Sequence, residues 1–171
     1  MPLDPLPVDP HLPELLAALE ASGAAVLRAP TGSGKTTRVP PALLAGEAGA
    51  PGGGSSAPPG RVVVLEPRRI AARAAARRVA SERGWRLGGR VGWHVRLDRR
   101  AGPDTEVLFV TQGLLVRSLQ EDPFLEGAGA VVFDEFHERS LEADVALGMV
   151  QRLRREVRPD LRVLVMSATL D

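Results

Sequence analysis

Between Ala29 and Thr37 the chain reads A-P-T-G-S-G-K-T-T, directly after the apolar run Ala24-Ala25-Val26-Leu27. An apolar strand, a glycine-rich turn and a helix start with lysine and threonine at its mouth together form a cradle for polyphosphate. Gly32 and Gly34 carry no Cβ, so the backbone can take positive φ and approach phosphates closely. The amides around Ser33 to Thr36 are expected to point inward, at the helix end whose dipole favours anions. Lys35 would then reach the β- and γ-phosphates and the Thr36 hydroxyl would hold Mg²⁺, with Thr31 and Thr37 in the same loop.

The full pattern G-x-x-x-x-G-K-[ST] asks for glycine at position 29, where this chain has alanine. A plain Gly/Ser linker between a strand and a helix is the simpler alternative. Composition weighs against it. Of 22 basic residues 21 are arginine, and the one lysine, Lys35, stands where a compact ammonium suits a phosphate cradle better than a planar fork.

At 171 residues, 44% hydrophobic and net charge +1, the chain is expected to form one soluble domain with a substantial core. No apolar run approaches the roughly 20 residues of a membrane span. The start, M-P-L-D-P-L-P, has neither the basic nor the apolar region of a signal peptide, so a cytoplasmic protein is expected. Cysteine is absent and His11, His94 and His137 are scattered, which argues against a disulfide or a zinc site. The near-neutral total hides an asymmetry: residues 61–100 hold 12 arginines against Glu66, Glu82 and Asp98. Such a block is a candidate polyanion surface.

Taken in order, residues 1–13 carry five prolines and predict an extended lead-in to a domain covering 14–171. Leucines at 12, 15, 16 and 19 predict a helix over 11–21 that stops at Gly23. A strand over 24–28 and the phosphate loop follow, then a helix that Pro40 and Pro41 must kink or shorten. Residues 45–60, rich in Gly, Pro, Ser and Ala, predict a mobile loop. Further strands are expected at 61–65, 91–95, 105–110, 130–133 and 161–166, with helices at 68–83, 111–120 and 141–157. Arg69, Arg73 and Arg77 share a face of the first of these helices, which for most arginine stripes is simply solvated. On the last helix Leu141, Val145, Met149 and Leu153 form an apolar stripe. Strands alternating with helices predict an α/β fold, a parallel sheet covered on both faces. Ligands of such sheets sit at the strands' carboxyl ends. Three polar clusters, 29–37, 134–137 and 167–169, each follow an apolar strand and so share that edge.

V-V-F-D-E ends one of these strands with two acids that have no cation nearby in sequence. Adjacent carboxylates there would repel, yet they suit a nucleotide hydrolase: Asp134 to hold Mg²⁺ and Glu135 to orient and deprotonate the attacking water. The set A-P-T-G-S-G-K-T, E-P-R-R-I-A-A-R, V-T-Q-G-L-L, D-E-F-H-E-R-S-L and M-S-A-T-L-D resembles the DEAH-box (DEAH/RHA) helicases of superfamily 2, and within them the bacterial HrpB-type branch. The resemblance runs from about Leu12 to Asp171. It implies a RecA-like P-loop domain that uses ATP and Mg²⁺, and it accommodates Ala29. Phe136 departs from the alanine of the family's name, with Asp134, Glu135 and His137 retained.

Residue by residue, the resemblance implies that Arg68, Arg69 and Thr111 touch the sugar-phosphate backbone of single-stranded RNA or DNA. It implies that Arg78 stacks on the nucleobase, that His137 relays between the nucleotide site and a partner domain, and that Ser167 and Thr169 couple hydrolysis to strand movement. It gives residues 45–60 no role, as for an insertion. A second RecA-like domain with an arginine-bearing motif is expected after Asp171. A supplied arginine is worth about 10³–10⁵ in rate for related NTPases, so this domain alone should bind nucleotide but hydrolyse it poorly. A stand-alone nucleotide-binding switch or scaffold is the main alternative. A small-molecule kinase is weaker, since it leaves Arg68-Arg69 and Ser167-Ala168-Thr169 without a purpose.

Overall fold

The computed structural model describes residues 3–44 and 60–169; most of the expected loop at 45–60 lies outside the described residues. The elements are α1 (Leu12–Ser22), β1 (Ala24–Arg28), α2 (Lys35–Ala42), β2 (Arg61–Glu66), α3 (Arg69–Arg83), β3 (Val91–Val95), β4 (Asp98–Arg100), β5 (Val107–Thr111), α4 (Gln112–Glu121), β6 (Ala128–Phe133), α5 (Leu141–Glu156) and β7 (Arg162–Ser167). The strands form one sheet in the order β1-β7-β6-β2-β5-β3-β4. Every neighbouring pair is parallel except β3 and β4.

Residue chemistry accounts for the boundaries. Gly23 and Gly84 end α1 and α3 in the left-handed conformation, with φ of 69° and 64°, which costs a glycine nothing. α2 lasts only eight residues and ends just after Pro40-Pro41, short as its prolines predict. Ser140 caps α5 by accepting a hydrogen bond from the Ala143 amide at 3.0 Å.

The central strands β2 and β6 are buried on both faces, as continuous runs of Val, Leu, Ala and Phe require. One core layer joins α1, α2 and α3 to the sheet through Leu19, Val39, Ala76, Val79 and Phe109. The opposite layer packs α4 and α5 through Leu115, Leu119, Val150 and Phe133.

Four expectations change. The lead-in is not simply extended: Asp9–His11 form a 3-10 turn and Val8 is buried in the core. The sheet is not wholly parallel, because Asp98–Arg100 fold back on β3. On α5 the buried side is Ala143, Ala146, Val150 and Leu153, whereas Leu141 and Val145 are exposed. The small alanines let the helix settle closely on β6 and β7, which turns the leucine-valine side outward. The stripe of Arg69, Arg73 and Arg77 is not uniformly solvated: Arg73 pairs with Asp98 at 2.7 Å and Arg77 lies over Trp93 at 5.3 Å.

Candidate nucleotide site and nucleic-acid face

Parallel pairing brings the ends of β1, β7, β6, β2 and β5 to one edge, where Arg28 pairs with Ser167, Phe133 with Leu65 and Glu66 with Thr111. The phosphate loop leaves β1 there. Gly32 and Gly34 take φ of 78° and 90°, and α2 begins at Lys35. The amides of Lys35 and Thr36 lie in the first turn, where no preceding helical carbonyl can accept from them. Ser33 differs from expectation: its amide donates to the Pro30 carbonyl at 3.3 Å and its buried hydroxyl has no hydrogen-bond partner. Its part is to shape the turn.

A cleft of about 280 Å³ opens over the loop, lined by Thr31, Gly32, Lys35, Thr36, Thr37 and Glu135 among others. Arg78 of α3 reaches the same cleft and donates to Glu82 at 2.5 Å. Lys35 is only 3% exposed and its ammonium lies 3.0 Å from Glu135 Oε1. The cation missing from the local sequence of the two acids is therefore supplied across the sheet edge. The Thr36 hydroxyl donates to Asp134 Oδ2.

Asp134 and Glu135 adopt different environments although they are neighbours. Asp134 is buried, and that burial raises its carboxyl above the ordinary range against the opposing hydrogen bonds from Thr36 and the Glu135 amide. Glu135 sits at a left-handed φ of 49°, a conformation that costs a residue with a Cβ roughly 1–2 kcal/mol. Such strain persists where surrounding contacts dictate it, often at functional sites. Here it turns the carboxylate toward both Lys35 and His137, whose Nδ1 is 3.3 Å from Glu135 Oε2. The same nitrogen lies 3.4 Å from the Ser167 hydroxyl and accepts from the Ala168 amide at 3.5 Å. Ser167 also donates to the Thr169 carbonyl. One contiguous chain thus runs from Lys35 through Glu135 and His137 to Ser167 and Thr169.

Sequence reasoning missed Glu66 as part of this site. It is 2% exposed at the end of β2, and burial first, then the neighbouring Asp134, pushes its carboxyl up to about 9. Three acids, Glu66, Asp134 and Glu135, surround one lysine. The only sequence signal was that Glu66 directly continues an apolar strand paired with the one ending at Phe133. Phe136, the departure from the family pattern, packs edge-on against Phe133 with centroids 6.1 Å apart. It anchors the turn without entering the charge cluster.

Arg68, Arg69 and Thr111 lie farther along the edge, after β2 and at the end of β5. Arg68 is 73% exposed and pairs with Glu138 at 3.1 Å; Arg69 and the neighbouring Ile70 are also exposed. The phosphate loop and this arginine face are therefore separate parts of one edge.

The model of the DEAD/DEAH box helicase family matches residues 12–171. This chain belongs to that family. It is 46% identical to the ATP-dependent RNA helicase HrpB of Escherichia coli K12 over 97% of this chain and 19% of that protein. It is 42% identical to the ATP-dependent RNA helicase DHX30 of Gallus gallus over 98% of this chain and 13% of that protein. The crystal structure of the Escherichia coli DEAH/RHA helicase HrpB superposes with a TM-score of 0.87 and 45% identity, covering 98% of this chain and 20% of that one. The fold is accordingly the α/β RecA-like fold of those proteins. The chain spans a fifth or less of the relatives' lengths.

Proposed function

We propose that this chain is the ATP-binding motor domain of an ATP-dependent RNA or DNA helicase, and that residues 14–171 form the first of two RecA-like domains in a longer protein. The observation that carries the proposal is the convergence of Lys35, Thr36, Asp134 and Glu135 from two distant stretches of chain on one cleft. The longer relatives support the second domain.

Each group has a role that follows from its chemistry. The loop amides and Lys35 hold the β- and γ-phosphates, while Arg78, which lines the same cleft, takes the nucleobase. Thr36 and Asp134 offer touching hard-oxygen donors, a set that fits Mg²⁺. When bound, that ion would neutralise charge on the β- and γ-phosphate oxygens. Glu135, which reaches into the cleft beside Lys35, orients the attacking water and takes its proton. His137 senses the state of Glu135 and passes it to Ser167 and Thr169, which couple hydrolysis to strand movement. Arg68, Arg69 and Thr111 bind the backbone of a single strand, with little sequence preference because phosphates carry no base identity.

No helix among the described residues is long and apolar enough to cross a membrane. The test is titration of a fluorescent ATP analogue with Mg²⁺. Lys35→Ala should weaken binding by about tenfold or more, since charge-assisted hydrogen bonds contribute roughly 1.5–3 kcal/mol. Equal dissociation constants at equal thermal stability would end the assignment.

A further inference from the structure

The residues before α1 are expected to be a simple lead-in, yet they pack on the phosphate loop at two points. The Val8 amide donates to the Ser33 carbonyl at 3.0 Å. Leu6 fills the space that Gly34 leaves open: a Cβ on Gly34 would meet Leu6 Cδ1 at 2.5 Å. Leu6 also lines the nucleotide cleft itself, with Lys35, Thr37, Arg78 and Glu82.

This short segment is fixed from behind by one buried arginine. Arg38 is 3% exposed on α2, and its Nη2 donates to the Asp4 carbonyl at 2.6 Å. Its Nε lies 3.5 Å from Asp9 Oδ1 and its Nη1 lies 3.4 Å from Glu82 Oε2. Asp9 in turn accepts from the Leu6 amide at 2.7 Å, so the bend that presents Leu6 is closed on itself. Glu82 also accepts from Arg78 at 2.5 Å. A single guanidinium on α2 therefore ties the segment before α1 to Glu82 and, through it, to Arg78 in the cleft lining. Only Nη2 makes a hydrogen bond; Nε and Nη1 meet Asp9 and Glu82 as ion pairs alone, so the buried charge depends on both acids and removing either would leave it under-compensated.

We propose that Leu6 is a positioning residue for nucleotide binding: the segment Asp4–Asp9 is a strap that holds the phosphate loop in its binding geometry through the Leu6–Gly34 contact. This rests on the nucleotide-binding reading of the cleft. Gly34 is free to leave its left-handed conformation because it lacks a Cβ, and Leu6 packed against it restricts that freedom. Loss of the contact lowers the fraction of loops in the competent conformation, and apparent affinity falls in proportion.

The experiment uses the 171-residue chain with two probes, a fluorescent ATP analogue and inorganic tripolyphosphate as its competitor. If Leu6→Ala leaves about one loop in five competent, both affinities fall about fivefold, and Leu6→Met, which refills the space, restores both. Hydrogen exchange at Ser33 to Thr36 should quicken in Leu6→Ala while exchange in β6 stays unchanged, which separates a local loss from general destabilisation. Unchanged affinities and unchanged loop exchange would overturn the proposal. A loss for ATP with none for tripolyphosphate would also overturn it, because Leu6 would then touch the nucleoside and not position the loop. Lys35→Ala run alongside separates the two readings: if it retains full binding, the nucleotide site itself is wrong, and if it alone loses binding, only the strap is.

Discussion

Lys35 and Glu135, a hundred residues apart in sequence, form an ion pair of 3.0 Å in which the lysine is buried and the glutamate is 23% exposed. A buried ammonium needs a counter-charge. On the proposed reading of the site, a polyphosphate in the loop would compete with Glu135 for Lys35. That exchange would release the carboxylate for water and would be felt by His137, which touches the same side chain.

Glu135→Gln follows from this exchange. The amide keeps the shape but no longer competes as an anion for the ammonium, so ATP affinity should rise, by about tenfold if one charge-assisted hydrogen bond at the low end of its range is at stake. Hydrolysis, measured in a protein that carries the second domain, should vanish. Wild-type turnover in that protein would remove Glu135 as the base, and an unchanged dissociation constant would remove the competition.

Asp134 and Thr36 should behave differently. Their mutual contact puts both oxygens where a hard cation can use them. Asp134→Asn and Thr36→Ala should each reduce the gain in ATP affinity that Mg²⁺ provides, while binding in EDTA changes little. Isothermal titration at several Mg²⁺ concentrations reads this directly. A variant whose Mg²⁺ dependence equals that of the wild type would show that its oxygen is not a ligand.

Much of this was legible in the sequence because the local signals and the fold agree. The loop glycines take the positive φ that their lack of a Cβ permits, and strands β2 and β6 appear where apolar runs are continuous. What failed depended on neighbours far along the chain. Glu66 is an ordinary polar residue until the pairing of Leu65 with Phe133 places it beside Asp134. β4 has the composition Asp-Arg-Arg and is a strand only because β3 offers it an edge. The stripe on α5 misled because alanine buries as readily as leucine when a helix must approach a sheet closely. The Lys35–Glu135 pair needed both the loop and the sheet order before it could be seen.

His94 gives a pH prediction. Burial first, and then the positive Arg99 and Arg117, lower its pKa below the ordinary 6.5. The unfolded chain therefore takes up a proton before the folded one does, and stability falls as pH drops below about 6.5 toward the folded value. Above that range the contribution is fully present. His94→Gln should flatten the difference in Tm between pH 7 and pH 5 relative to the wild type. Glu66, raised in the folded state, pulls the other way, but it does so in both proteins and cancels in the comparison. Parallel curves would mean that His94 titrates alike in both states.

The arginine-rich segment offers the sharpest contrast, because its residues divide by contact although Arg69, Arg73 and Arg77 share a helix face. Arg73 pairs with Asp98 at 2.7 Å, the Trp93 indole donates to that same Asp98 at 2.9 Å, and Arg77 covers the Trp93 ring. These two arginines brace α3 against the β3–β4 hairpin. Arg68 meets only an exposed partner, Glu138, and exposed pairs of this kind contribute little and yield readily to a phosphate. For a single strand the slope of log K against log salt is about −0.7 per phosphate neutralised. If Arg68 and Arg69 each meet one phosphate, replacing both with alanine should flatten that slope by roughly 1.4 and weaken binding alike for different base sequences, with Tm unchanged. Replacing Arg73 and Arg77 should lower Tm and leave the slope near its wild-type value. Fluorescence anisotropy of a labelled single strand at several salt concentrations, with both double variants, decides between a defined backbone contact and a diffuse polyanion surface. Equal changes in slope would establish the diffuse surface and withdraw Arg68 and Arg69 as specific ligands.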